Sequence, residues 1–268
     1  MKPFRLLHLP HLPFRKIASE INLFYENRGV LTFLCTDYYS AADQIVEYLK
    51  NTFNCELTRC KVSPSGYPEY RQLITQTINN SKIRELDFGE SEQEVDAEDI
   101  DFVFNNLKTD KMLIVSGRLD KTYQLQNPLN FPFFFVGYAP WFRPEDLFNA
   151  NCEHLAILFA DKLEPANINL YLKQWINGEH SRILSLRIES IWFSSSHQNG
   201  NQQLFNGIET RSFDMKREIS DYKKSVFYSL FGNQFVDYQF WDIRRNDGTI
   251  GSIALKTSCC FFHVWCIK

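Results

Sequence analysis

The sequence predicts an α/β protein: a small N-terminal helical module, residues 1–50, then a curved sheet domain, residues 51–268, closed by a C-terminal β-hairpin. Three observations predict it. An apolar-x-apolar spacing recurs five times, helix signatures stand between the recurrences, and Asp247-Gly248 separates two strand-like segments. The recurrences are Leu86-x-Phe88, Leu113-x-Val115, Phe133-x-Phe135, Leu155-x-Ile157 and Leu186-x-Ile188. Their first positions lie 27, 20, 22 and 31 residues apart (113−86, 133−113, 155−133, 186−155). That is close to the roughly 20–29 residues of leucine-rich repeats, so the domain is expected to be leucine-rich-repeat-like. Strand, helix and strand in alternation require crossovers, hence a mostly parallel sheet with helices on at least one face.

Taken in order, the chain opens on an apolar segment, Phe4 to Pro13, followed by a helical pattern in which Ile17 and Ile21 share a face. Helical spacing resumes at Val30, Leu31, Phe33 and Leu34, then at Ile45, Val46 and Leu49. Ser63-Pro64-Ser65-Gly66 is the clearest loop after it, although Phe53 to Val62 can already be a strand. Asp96 is placed to cap a helix over Ala97 to Lys108, with Ile100, Val103, Phe104 and Leu107 on one face and an acidic first turn. A turn around Pro128 joins the second and third strands, and Pro144 opens a short helix carrying Leu147 and Phe148. Pro165 starts a longer helix with the stripe Ile168, Leu172, Trp175 and Ile176, which Gly178 ends in the left-handed conformation. Ser194 to Gln203 reads as a polar loop. Val236 to Arg244 and Thr249 to Leu255 flank the Asp-Gly turn, whose two positions favour positive φ, and Cys260 to Ile267 adds an edge or closing strand.

Composition excludes several classes. The 268 residues are 44% apolar and 23% charged with a formal charge of −3, a balance that buries a full core without disulfide or metal staples. No stretch approaches the roughly 18 apolar residues of a membrane span, and Arg5, His8, His11 and prolines interrupt the N-terminal run, so neither a membrane anchor nor a signal peptide is expected. An isoelectric point near 6.1 with no basic block argues against nucleic acid as a partner. Seven cysteines, single except for Cys259-Cys260, fit free thiols in the cytoplasm or nucleus.

Catalytic templates are missing: no phosphate loop, no dinucleotide fingerprint, no Gly-x-Ser-x-Gly elbow and no His-Glu-x-x-His. Cys259 to Cys266 offers soft ligands, but in a strand Cys260 and Cys266 point to one face and His263 to the other, which opposes a tetrahedral zinc site. The acidic run Glu85 to Asp101 lacks the central glycine of a calcium loop between Glu90 and Asp101 and reads as a solvated loop and helix start. Dense aromatics from Phe131 to Trp141 are assigned chiefly to packing, with a partner-binding face as the other reading. The sequon Asn79-Asn80-Ser81 is taken as chance. No residue is assigned a catalytic role, and no cofactor or metal is expected.

Two resemblances follow from named residues. Phe4-Arg5-Leu6-Leu7-His8-Leu9-Pro10, with Leu12 and Ile17 behind it, resembles the opening of an F-box, the helical module that docks ubiquitin-ligase receptors on the adaptor Skp1. That resemblance implies Skp1 contacts at Leu7, Leu9, Pro10, Leu12, Ile17 and Ile21. Pro13, Asn27-Arg28-Gly29 and the absence of a basic cluster after Cys35 depart from the pattern. Asn167 to Gly178 with Leu184 to Ile188 resembles the helix–strand signature of the type 2 F-box-associated domain of nematode F-box proteins. Asp242 to Ile250 and Phe262 to Trp265 resemble its closing hairpin.

The resemblance implies a non-enzymatic substrate-recognition adaptor that joins Skp1, and through it a cullin, to a protein target for ubiquitination. The alternative is a protein-binding repeat domain with a degenerate F-box and no ligase role. A third reading, a scattered active site using Cys259, Cys260 or His263, requires a reactive thiol beside a histidine.

Overall fold

The computed structural model describes residues 21–26, 30–35, 58–64, 70–193, 200–214, 239–256 and 258–265. Its centre is a ten-stranded mixed sheet. Six strands run parallel in consecutive order: β3 (Arg59–Val62), β4 (Glu85–Phe88), β5 (Met112–Val115), β6 (Phe133–Val136), β7 (His154–Ile157) and β8 (Ser185–Glu189). Four more continue it antiparallel, so the full order is β3-β4-β5-β6-β7-β8-β12-β11-β10-β9, with β9 (Arg211–Ser212), β10 (Gln239–Arg244), β11 (Ile250–Lys256) and β12 (Cys259–Trp265). A mixed α/β architecture with a multi-stranded sheet is therefore present.

The helices are α1 (Tyr70–Gln72), which widens into a π-helix (Leu73–Ile78), α2 (Ala97–Asn106), α3 (Pro144–Phe148), α4 (Pro165–Ile176) and α5 (Gly200–Leu204). Most of the core lies between helices and one face of the sheet. Leu86, Phe88, Leu113, Val115, Leu155, Ile157, Leu186 and Ile188 supply the sheet side, and Ile100, Val103, Ile168, Leu172 and Trp175 the helix side. Each is under 2% exposed, which is where the hydrophobic stabilisation of the fold resides.

Several local devices act as the residues dictate. After α4 the N–H of Gly178 donates to Trp175 O at 3.0 Å and that of Glu179 to Gln174 O at 3.0 Å, the two bonds of a Schellman stop, with Gly178 at φ +97°. Asp96 occupies the N-cap position of α2 with extended backbone, yet its side chain makes no capping bond, and its carbonyl accepts from Asp99 and Ile100 instead. Asn79 is a structural amide: it donates to Asn106 O at 2.7 Å and accepts from the N–H of Lys108 at 2.9 Å.

Five expectations are corrected. Residues 21–26 and 30–35, read as helical, are strands β1 (Ile21–Glu26) and β2 (Val30–Cys35), paired antiparallel from Ile21↔Cys35 to Glu26↔Val30. Aromatic and β-branched residues around a three-residue connection containing Gly29 favour a hairpin over the helical module expected there. In β6 the pair in register with Leu113 and Val115 is Phe134 and Val136, so Phe133 and Phe135 belong to the opposite face. An all-apolar Phe-Phe-Phe-Val run carries no alternation from which to read that register.

Gly200 to Gln203, read as the end of a polar loop, belong to α5, fixed where the buried amide of Asn169 donates to Leu204 O and Asn206 O at 2.7 and 3.0 Å. In the turn between β10 and β11 only Gly248 has positive φ, +94°, and Gly248 N–H bonds Arg245 O at 2.9 Å, so one residue carries the left-handed conformation where two were expected. Finally, β12 is not an edge strand. It sits between β8 and β11, as suits a run of apolar side chains buried on both faces.

Candidate functional site

The second face of the sheet carries a polar row in register: His154, Ser185, His263, Ser252 and Asp242 on β7, β8, β12, β11 and β10. His154 Nδ1 lies 2.6 Å from Ser185 Oγ, Ser252 donates to Asp242 Oδ1 at 2.5 Å, and Trp265 Nε1 donates to Ser252 Oγ at 2.7 Å. A serine beside an imidazole invites a nucleophile–base reading. Ser185 is 0% exposed, however, so no substrate carbonyl can approach it, and the row serves the packing of the sheet.

Thiol chemistry fares no better. Cys259 and His263 share a face but lie four residues apart on one strand, about 13 Å, and Cys260 points the other way. Burial, then the neighbouring Cys259, pushes the Cys260 thiol far above its ordinary range, and burial pushes Cys152 up to about 11. Inert thiols follow, since the thiolate is the nucleophile. Among the described residues no group of three or more His, Cys, Asp or Glu can hold a metal ion.

Two histidines nevertheless register on stability. Burial lowers His154 below its ordinary value, with Glu153 opposing, and lowers His180, stacked 4.2 Å from Tyr171, with Glu179 opposing. A histidine kept neutral when folded lets the unfolded chain bind more protons below about pH 6.5. Its contribution is therefore intact above that pH and is lost as pH falls toward the folded value. Urea midpoints are expected to be lower at about pH 5.5 than at about pH 7.5, with His154→Gln/His180→Gln shrinking the difference; an unchanged gap refutes the assignment.

The remaining concentration of unusual features lies where the parallel strands end. Chain leaving β5, β6, β7 and β8 presents Arg118, Tyr138, Phe159 and Ile191 in turn. Tyr138, Phe159 and Ile191 are 36%, 51% and 54% exposed, and among the described residues the other exposed large apolar side chain is Leu170 on α4. They are connected. Arg118 lies over the Tyr138 ring at 5.1 Å, the Tyr138 and Phe159 rings are 5.9 Å apart, and the N–H of Ala160 bonds Glu189 O at 2.8 Å, tying the β7 exit to the end of β8.

Backbone strain gathers on the same edge. Of the four described non-glycine residues at positive φ, three lie there: Glu92 at 75°, Phe159 at 56° and Ser258 at 68°. Ser258 belongs because Ser190, just past β8, donates to its carbonyl at 2.8 Å. A phenylalanine held left-handed costs on the order of 1 kcal/mol or more, a cost that accumulates at functional positions. Exposed Tyr, Phe and Arg on loops anchored by a rigid sheet are residue types enriched at protein interfaces.

Of the residues expected to contact Skp1, Leu7, Leu9, Pro10, Leu12 and Ile17 lie outside the described residues, and Ile21 begins β1. The sequence reading brought none of the edge residues forward individually; Tyr138 lay only within the aromatic segment. Their signal is positional: Tyr138 and Phe159 each stand two residues beyond strand partners Val136 and Ile157, a correspondence visible once register is known.

Fold and edge together define a class, a strand–helix repeat sheet with its exposed aromatic loops collected at the strand ends. Residues 123–188 match the family model described as F-box associated, so an F-box-associated segment is present in part of the chain. The match runs from the strand-to-strand connection before β6 into β8, taking in Tyr138, Phe159, Trp175 and Gly178. No curated protein and no solved structure matches the chain. No helix among the described residues is long and apolar enough to cross a membrane.

Proposed function

We propose that the chain is a substrate-recognition adaptor of a Skp1–cullin–F-box ubiquitin ligase, acting in the cytoplasm or nucleus. Residues 1–50 dock on Skp1 through Leu7, Leu9, Pro10, Leu12, Ile17 and Ile21, and residues 51–268 form a curved, leucine-rich-repeat-like platform that holds a protein target. The observation that carries the reading is the F-box-associated match over 123–188, because it falls on the repeats that raise Tyr138 and Phe159 from the sheet edge. The chain does no covalent chemistry. It acts by tethering, which raises the concentration of the target beside the charged conjugating enzyme.

Co-purification tests it. The wild-type chain is expected to retain Skp1, and Leu9→Asp with Pro10→Ala to reduce retention at least tenfold; no Skp1 with the wild type, or equal retention by the variant, removes the adaptor role. A specific observation favours the second reading, a binding module without ligase function: residues 21–26 and 30–35 pair as β-strands where an F-box continues in helices. Under it the aromatic edge still holds a partner and Skp1 is not bound.

A further inference from the structure

The edge has a definite charge as well as an apolar surface. The charge of Arg118 is neutralised, since its Nη2 pairs with Glu92 Oε2 at 2.7 Å while its guanidinium covers Tyr138. The turn from β4 to α2, residues 89–96, has four carboxylates and no base. Glu94, whose backbone bridges to Arg118, is exposed and makes no side-chain ion pair among the described residues. At the other end Asp161, two residues past Phe159, is likewise exposed and unpaired among the described residues, while the ammonium of Lys162 is turned to the carbonyls of Lys121 and Trp141 at 3.0 and 3.5 Å. Aromatic surface is thus bracketed by free carboxylates.

We infer that this edge binds an extended peptide segment of its partner in which apolar side chains are flanked by Lys or Arg. The inference rests on the recognition role given to the edge above and names the chemistry of its ligand. Apolar side chains of the segment pack against Tyr138, Phe159 and Ile191, and its cations meet Glu94 and Asp161 or lie on the open ring face of Phe159. Scale agrees. Three strand spacings from β5 to β8 make about 14 Å, the reach of four to five extended residues. An acidic segment would bring like charge to both ends, and a purely apolar one would leave the carboxylates unused.

The test is an array of immobilised hexapeptides whose two central positions run through all apolar and aromatic residues, flanked on each side by two basic, two acidic or two serine residues. The full chain is expected to be retained best by the basic set. Phe159→Gly is expected to weaken that retention about tenfold or more, Glu94→Gln with Asp161→Asn several-fold, and salt at about 0.5 M to weaken it further. Equal or better retention by acidic or serine-flanked peptides, indifference to Phe159→Gly, or no retention by any set overturns the inference. The Skp1 measurement is separate: Skp1 binding without basic preference removes this inference alone, and basic preference without Skp1 removes the ligase role alone.

Discussion

Trp175→Ala is expected to destabilise the chain by about 3–5 kcal/mol, read as a lower urea midpoint at unchanged slope. Trp175 is 0% exposed on α4 and meets Phe262 of β12 edge-on at 5.0 Å, while Arg245 covers its ring at 5.5 Å. Beneath it Gly251 has no room for a side chain: a Cβ there would lie 3.0 Å from the indole and closer still to Phe262. The indole therefore joins the last helix of the parallel half to the antiparallel half, and a cavity there cannot be filled by neighbours already in contact. Its N–H has no hydrogen-bond partner among the described residues. Trp175→Phe, which keeps a ring against Phe262 and removes a buried donor, is expected to lose clearly less than Trp175→Ala. Equal losses would mean that the packing argument is wrong.

At Phe159 stability and recognition should part. Phe159→Gly removes an exposed ring and relieves the left-handed backbone, so stability is expected to stay within about 1 kcal/mol of wild type even as peptide retention falls. Phe159→Ala loses the same ring but keeps the strain, and is expected to be the less stable of the two. That order reverses the usual one, in which glycine is worse than alanine by roughly 0.5–1 kcal/mol. Thermal denaturation of the two variants side by side decides it. Alanine at or above glycine removes the strain argument and with it the reason to regard this loop as functionally shaped.

How much of this was legible in the sequence depends on the kind of signal. Helix α4 was readable residue by residue because Pro165, the Ile168–Leu172–Trp175 stripe and Gly178 are local marks with one physical meaning each. The helix at Tyr70–Gln72 and its π continuation carry a comparable mark, since Tyr70, Ile74 and Ile78 recur at four-residue intervals and are all buried, but no Ser, Thr, Asp or Asn stands directly before Tyr70 to announce a start. Register was not legible where it had no contrast: Phe133 to Val136 is apolar throughout, and the choice of face is made by the strands on either side. The place of β12 was equally hidden, because strand order is a property of pairing across long stretches of chain. For the recognition edge the residue types are ordinary one at a time. Their meaning comes from adjacency across four strand ends and from a positive φ that no composition announces.

That central position of β12 sets a timetable for folding. Cys259 pairs with Glu189 across seventy positions (259−189), and until it arrives the flank of β8 is an open row of amide and carbonyl groups. Loop-closure entropy makes such a pairing slow relative to the neighbouring parallel units, whose contacts are nearer in sequence. During synthesis the half-built sheet therefore waits with the border of β8 unsatisfied, the interval in which self-association or a chaperone's grip would compete with completion.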